Sequence, residues 1–79
     1  MEIIYSKSAV KAINSMDKPT KQRIRAGIEK LPFGDVKKLQ GKVNDYRLRI
    51  GDYRIIYTMA EGRIEISDIL PRGQAYKRL

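Results

Sequence analysis

Arginines concentrate in one short stretch of this chain, and their spacing predicts a site for a polyanion. Arg47, Arg49 and Arg54 flank Gly51-Asp52, a pair typical of a two-residue β-hairpin loop with glycine at the first central position of a type II′ turn. Such a turn pairs Arg49 with Arg54 across two antiparallel strands and places Arg47 on the same face. Guanidinium groups match the geometry of phosphate oxygens, so this face is suited to nucleic acid.

The same register leaves two interpretations of the arginine pair open. Like charges directly opposite one another destabilise a sheet, and arginine cannot lose its proton to relieve the repulsion. Either a polyanion completes the cluster, or the arginines form a solvated polar face that happens to be basic. The residues that alternate with them are expected to face the core: Tyr46, Leu48, Ile50, Tyr53, Ile55 and Tyr57.

Further basic residues flank the hairpin and extend the predicted binding surface. The chain carries a net charge of +8, which favours a nucleic acid or an acidic partner. Arg72 follows the last predicted strand, and Tyr76 lies four residues later. A tyrosine in this setting either stacks on a base, donates a proton or packs as part of a C-terminal tail. The remaining flanking cations are Lys37, Lys38, Lys42, Lys77 and Arg78.

The composition argues against several other kinds of site. The 79 residues include no cysteine and no histidine, which excludes disulfides and thiolate metal sites and removes the commonest general base. The nine acidic residues are scattered along the chain. We therefore expect no metal and no other cofactor.

The start of the chain, MEIIYSKSAVK, does not resemble a signal peptide, and no apolar run is long enough for a membrane span. We expect one cytoplasmic domain over residues 1–79 that does not bind membranes.

The elements that must position the arginines follow from the apolar periodicity. Residues 2–5 read as a strand, and Ser6 or Ser8 is suited to capping a helix over about residues 8–16. Pro19 suits the first turn of a second helix that ends near Leu31, so the two segments form a helical hairpin. Residues 35–45 are predicted to be a basic connector.

Three strand segments follow, over residues 46–50, 53–59 and 63–70. The predicted fold is α+β, in the order β-α-α-β-β-β, with an antiparallel sheet packed against the helical hairpin. The direction of the side chains in the last strand is open to two interpretations. If the strand alternates without interruption from a turn at Glu61-Gly62, the Asp68 side chain points into the core. Ile56 and Ile69 then lie on the face that carries the arginines. Asp68 is then hydrogen-bonded near the strand end, or a β-bulge shifts the alternation.

At this level of detail the chain resembles a known family. KKLQG at 37–41, YRLRIGDYRIIY at 46–57 and PRGQAYK at 71–77 occur in an order and at separations that resemble the RelE/ParE superfamily of type II toxins. RelE-like members cut mRNA in the ribosomal A site, by attack of the 2′-OH on the adjacent phosphate to give a 2′,3′-cyclic product. The resemblance implies a metal-independent, ribosome-dependent endoribonuclease that inhibits translation.

The resemblance also implies roles and partners. Its catalytic positions correspond to Arg47, Arg49, Arg54, Arg72 and Tyr76. RelE-type enzymes often carry lysines at the first two positions, and many relatives have histidine where Pro71 stands, so no general base is assigned. The implied partners are the ribosome, mRNA and an acidic cognate antitoxin, whose complex with the toxin binds operator DNA.

Two other functions remain open at this stage. ParE-like members of the superfamily inhibit DNA gyrase without nuclease activity, and they typically lack this set of arginines and tyrosine. A non-toxic module that binds ribosomes or RNA is the third reading, because the lysines and histidine of the RelE type are missing here.

Overall fold

A computed structural model describes residues 2–39 and 45–71. Its elements, in chain order, are β1 (Glu2–Tyr5), α1 (Lys7–Asn14), α2 (Lys18–Glu29), β2 (Asp35–Lys38), β3 (Asp45–Ile50), β4 (Tyr53–Ala60) and β5 (Arg63–Pro71). The strands form a five-stranded sheet in the order β1-β5-β4-β3-β2. All neighbouring strands are antiparallel except β1, which pairs with β5 in parallel. The predicted α+β fold is confirmed.

Strand β2 is the element that the sequence prediction missed. Residues 35–38 were predicted to be part of a connector, but they pair with β3 at the edge of the sheet. This segment has one apolar residue, Val36, which is too short a pattern to reveal a strand by alternation. Its pairing depends on the exposed edge that β3 presents, so it is a consequence of the hairpin.

Hydrogen bonds from side chains begin both helices. Ser6 is the N-cap of α1, where its hydroxyl accepts from the Ala9 N–H at 3.0 Å. Asp17 caps α2 and accepts from the Thr20 N–H at 3.1 Å. Hydrogen bonds from Thr20 hold the pKa of Asp17 below its usual value.

Neither helix in the described part of the chain has the length and apolar composition of a membrane span.

The core lies between the helices and one face of the sheet. Helix α1 packs against β5 and β1, and α2 packs against β3. The hairpin residues predicted to face the core are all buried or packed against it, which confirms that prediction. The buried apolar side chains are Ala9, Ile13, Ile24, Ile28, Leu31, Leu48, Ile55, Tyr57, Ile64, Ile66 and Ile69.

A β-bulge at Ser67 decides which side chains of β5 enter the core. Ile56 pairs with Asp68 while Tyr57 pairs with Ile66, so Ser67 is the extra residue. The bulge turns Asp68 away from the core and turns Ile69 into it, where Ile69 is 4% exposed. The bulge is present, and Asp68 is also hydrogen-bonded, because the Ser8 hydroxyl donates to its Oδ1 at 3.1 Å. The placement of Ile56 beside the arginines is confirmed by its pairing with Arg47, whereas the placement of Ile69 there is wrong.

Serine side chains support this bulge. The Ser67 hydroxyl donates to the Ile56 carbonyl at 3.0 Å, and the Ser6 hydroxyl donates to the Ser67 carbonyl at 2.7 Å. The N–H of Ser6 also donates to the Ile66 carbonyl at 2.9 Å. These bonds satisfy polar groups near the place where the bulge interrupts the ladder.

A glycine allows α2 to lie close to the hairpin. The position of a β-carbon on Gly27 would overlap the side chain of Ile50, above all its Cδ1 atom. Ile50 is the last residue of β3 before the turn. The contact between Gly27 and Ile50 therefore sets how closely the helix approaches the turn end of the hairpin.

We predict that Gly27→Ala destabilises the protein by about 1–3 kcal/mol, because the added methyl group overpacks this contact. Helix propensity alone predicts the opposite, a gain of about 1 kcal/mol. Urea unfolding of Gly27→Ala, Ile50→Val and the double variant measures the effect. Ile50→Val removes Cδ1, so the double variant should be no less stable than Ile50→Val alone. A stabilised Gly27→Ala variant would contradict the described packing.

We predict that the free energy of unfolding falls as pH rises above the ordinary tyrosine pKa of about 10. Burial, with a smaller contribution from Tyr46, raises the pKa of Tyr57, so the folded state keeps a proton that the unfolded state loses. The two rings stack across β3 and β4 with centroids 5.4 Å apart. Tyr57→Phe should flatten the loss between about pH 9 and 11, measured by urea unfolding; an unchanged slope would be inconsistent with this assignment.

Candidate functional site

The hairpin register is the one that the turn predicts. Arg49 pairs with Arg54 and Arg47 pairs with Ile56 across β3 and β4. Gly51, in the turn, has a φ of 56°, a left-handed conformation that glycine adopts readily. Because the alternating residues enter the core, the arginines lie on the sheet face away from the helices. We call this the arginine face, defined by Arg47, Arg49 and Arg54.

Strand β2 adds one predicted lysine to this face and turns another away. Lys37 pairs with Arg47, so its side chain lies on the arginine face. Lys38 pairs with Tyr46 and therefore lies on the opposite face. Asp35 pairs with Arg49 and brings a carboxylate to the edge of the arginine face. The sequence prediction treated the two lysines alike because it did not include this strand.

The arginines differ sharply in exposure. Arg49 is exposed and Arg47 is half-buried, whereas Arg54 is only 2% exposed and is the one buried charged residue of the described ranges. A guanidinium stays charged in this position, so its burial carries a desolvation cost that anionic or polar partners must offset. Arg54 is therefore both a buried residue of the fold and a member of the candidate site, where it pairs with Arg49.

Arg47 brings a buried hydrogen-bond donor to the arginine face. The Nε atom of Arg47 is buried and has no hydrogen-bond partner among residues 2–39 and 45–71. An ion pair elsewhere on the sheet joins Arg63 Nε to Glu65 Oε1 at 2.8 Å and involves neither Arg47 nor Arg49. A buried donor without a partner costs about 1–3 kcal/mol. An anion with acceptor oxygens on this face would remove that cost.

Arg23 is a neighbouring cation that the sequence analysis did not select. A β-carbon built on Gly51 would lie 3.2 Å from Cζ, Nη1 and Nη2 of Arg23. Three equal distances mean that the planar guanidinium rests flat on the turn. Arg23 comes from α2, and only the packing of that helix against the hairpin brings it to this position. No signal in the sequence links the two positions.

Several predicted site residues lie outside the residues that the structure describes: Lys42, Arg72, Tyr76, Lys77 and Arg78. The described part of the site consists of guanidinium and ammonium groups with two carboxylates: Asp35, which pairs with Arg49, and Asp68, which pairs with Ile56 on the same face. Across the described ranges, no group of three or more acidic side chains is arranged to hold a metal ion. Chemically, guanidinium and ammonium groups in such an arrangement are suited to binding phosphate oxygens and to stabilising developing negative charge.

Comparisons with known proteins extend over nearly the whole chain. The ParE toxin family of type II toxin–antitoxin systems, parDE, matches residues 3–76. Curated protein sequences give no match.

Solved structures of toxins have the same fold. The RelB–RelE antitoxin–toxin complex from Methanococcus jannaschii matches with a TM-score of 0.78 and 27% identity, over 96% of this chain and 98% of that one. The archaeal RelE–RelB complex from Pyrococcus horikoshii OT3 matches with a TM-score of 0.74 and 34% identity, over 92% and 96%. The YoeB dimer from Staphylococcus aureus, at 21% identity and a TM-score of 0.71 over 86% and 92% of the two chains, shares the fold.

We predict that the paired arginines Arg49 and Arg54 differ in their effect on stability. Arg54→Ala should lower the free energy of unfolding by about 2–4 kcal/mol, because it empties a buried position. Arg49→Ala should change it by no more than about 0.5 kcal/mol, because that side chain is exposed. Urea unfolding of both variants is the measurement. Equal losses would show that the two side chains are not buried to different degrees.

Proposed function

This chain belongs to the ParE toxin family of type II toxin–antitoxin systems, and we propose that within this superfamily it acts like the RelE-type toxins, as a ribosome-dependent endoribonuclease that cleaves mRNA in the ribosomal A site. The observation that supports the nuclease reading is the arginine face. It combines two arginines that face each other across the hairpin with a buried Arg47 Nε donor that has no partner in the described ranges. These features suit a phosphate better than a protein surface.

In this proposal the arginines act on the scissile phosphate. The 2′-OH of the preceding nucleotide attacks phosphorus, the bond to the 5′-oxygen of the next nucleotide breaks, and a 2′,3′-cyclic phosphate results. Negative charge accumulates on the non-bridging oxygens as the phosphate becomes pentavalent. Arg49 and Arg72 bind those oxygens, the buried Arg54 adds positive charge beneath them, and Arg47 holds the RNA backbone. Preorganised cations of this kind are usually a large term in catalysis.

Proton transfer needs groups other than arginine. The 2′-OH must lose a proton and the 5′-oxygen must gain one, and a guanidinium does not accept protons at neutral pH. We assign to Tyr76 the task of stacking on or orienting the base, or of assisting proton transfer. The ribosome aligns the 2′-OH with the phosphate and supplies further acid–base help, since alignment alone contributes strongly to such rates.

The proposal includes partners beyond the substrate. The two archaeal RelE relatives were solved as complexes with RelB antitoxins, and a cognate antitoxin is the partner that we propose here. A net charge of +8 favours an acidic antitoxin that covers the basic surface of the toxin.

We further propose that the whole chain forms one toxin domain that acts in the cytoplasm. The complex of this domain with the antitoxin would bind operator DNA. Lys37, Lys38, Lys42, Lys77 and Arg78 would add contacts to RNA or the ribosome.

We predict that Arg49→Ala and Arg72→Ala each relieve growth inhibition and reduce mRNA cleavage by about 100-fold, as loss of one transition-state donor typically does. Primer extension on a translated message detects the cuts, which should be discrete, in frame and dependent on ribosomes. Arg63→Ala is the matched control, because Arg63 is an exposed arginine in an ion pair at the far end of β5. It should remain toxic.

Other outcomes would point to other functions. If both Arg49→Ala and Arg72→Ala retain cleavage and toxicity, the assignment of the arginine face as the catalytic site is wrong. DNA damage and filamentation without translation arrest would favour gyrase inhibition. Binding to ribosomes without any cleavage by the unmodified protein would indicate a non-toxic module.

A further inference from the structure

Phe33 is an aromatic side chain that the fold leaves in solvent. It is 77% exposed, more than the other exposed large apolar residues of the described ranges, Ile4 and Val10 at 41% and 44%. Phe33 lies in the turn between α2 and β2, and its N–H donates to the Lys30 carbonyl at 2.9 Å. The turn is therefore anchored through its backbone, and the ring contributes little to the core.

The turn that carries Phe33 lies at the same end of the sheet as the hairpin turn. Asp35 pairs with Arg49, so the chain before Asp35 runs past Arg49 toward Gly51. Gly34 packs against the sheet, because a β-carbon on it would lie 3.0 Å from Cδ1 of Leu48. Phe33 is thus held next to the turn end of β3, at the edge of the sheet that β2 forms.

Arg23 reaches the same end of the sheet from α2. Its guanidinium rests flat on Gly51, 3.2 Å from the position that a β-carbon would occupy. The N–H donors of a guanidinium lie in its plane, so none of them points down into the turn. They are directed sideways across the surface, where they can donate to phosphate oxygens.

We propose that Phe33 and Arg23 form a second nucleotide subsite for single-stranded RNA, in which Phe33 stacks on a base and Arg23 binds the adjoining phosphate. This inference rests on the proposed function, because the first subsite is the arginine face. An exposed aromatic ring next to a basic surface is the usual arrangement for binding single strands. A folded duplex offers no unstacked base to such a ring, so the subsite selects single strands.

The surroundings of Phe33 favour RNA over a protein partner. Docking surfaces for proteins present contiguous apolar area. Ile4 and Val10 lie on β1 and α1, at the edge of the sheet opposite to β2. The charged residues at this end of the sheet are Arg23 over Gly51, Lys30, whose carbonyl accepts from Phe33, and Arg49, which pairs with Asp35.

The test measures binding of a non-cleavable 2′-O-methyl single-stranded RNA over a series of salt concentrations. Phe33→Ala should weaken binding about 5- to 100-fold at every salt concentration, because stacking is not an ionic contact. Arg23→Gln should lower the slope of log affinity against log salt by about 0.7, the value for one phosphate contact on a single strand. Phe33→Trp should bind like the unmodified protein, whereas Phe33→Leu, which is apolar but cannot stack, should not.

Two controls keep this inference separate from the proposed function. Val10→Ala, at an exposed apolar position on α1, should leave binding unchanged, and thermal melts verify that each variant folds. Arg49→Gln reports on the arginine face and should also lower the salt slope by about 0.7.

If Arg49→Gln lowers the slope while Phe33→Ala and Arg23→Gln behave like the unmodified protein, the second subsite is overturned and the proposed function stands. If none of these variants changes binding, both fail. Weaker binding to an acidic antitoxin with unchanged RNA binding in Phe33→Ala would also overturn the subsite, in favour of a protein contact.

Discussion

The register of the β3–β4 hairpin is the constraint on which the rest of the structure depends. A two-residue turn with Gly51 in a left-handed conformation fixes which residues of the two strands face each other. Since side chains alternate with a period of two, that choice places the apolar residues of the hairpin other than Ile56 on the core face and the three arginines on the other. A slip of one residue would bury the arginines and expose the core.

The helices reinforce this register at the turn. Gly27 lets α2 approach Ile50 closely, and Gly51 lets the Arg23 guanidinium lie on the turn. Both contacts need a residue without a β-carbon, one on the helix and one on the hairpin. The packing of α2 therefore positions the end of the arginine face as well as the core beneath it.

Stability and binding are assigned to opposite faces of one sheet. The helical face supplies the buried apolar contacts, which is important in a chain of 79 residues, because a domain of this size has little stability to spare. The opposite face carries like charges in register, which cost stability. The bulge at Ser67 preserves the separation, because it directs Ile69 to the core and Asp68 away from it. The protein can hold several cations on that face because the buried apolar contacts lie on the other face.

Much of this was readable from the sequence, and for a local reason. The turn residues, the alternation around them and the helical spacing before them are short-range patterns, so they determined the helical hairpin, the strand register and the shared face of Arg47, Arg49 and Arg54. The sequence also left two positions of Asp68 open, because a bulge is a property of a strand pair. Only tertiary structure decided that β2 pairs at the edge of the sheet, that Lys37 and Lys38 face opposite ways, that Arg54 is buried while Arg49 is exposed, and that Arg23 and Phe33 reach the hairpin end. Each of these depends on contacts between segments distant in the chain, and a one-dimensional pattern contains no record of such contacts.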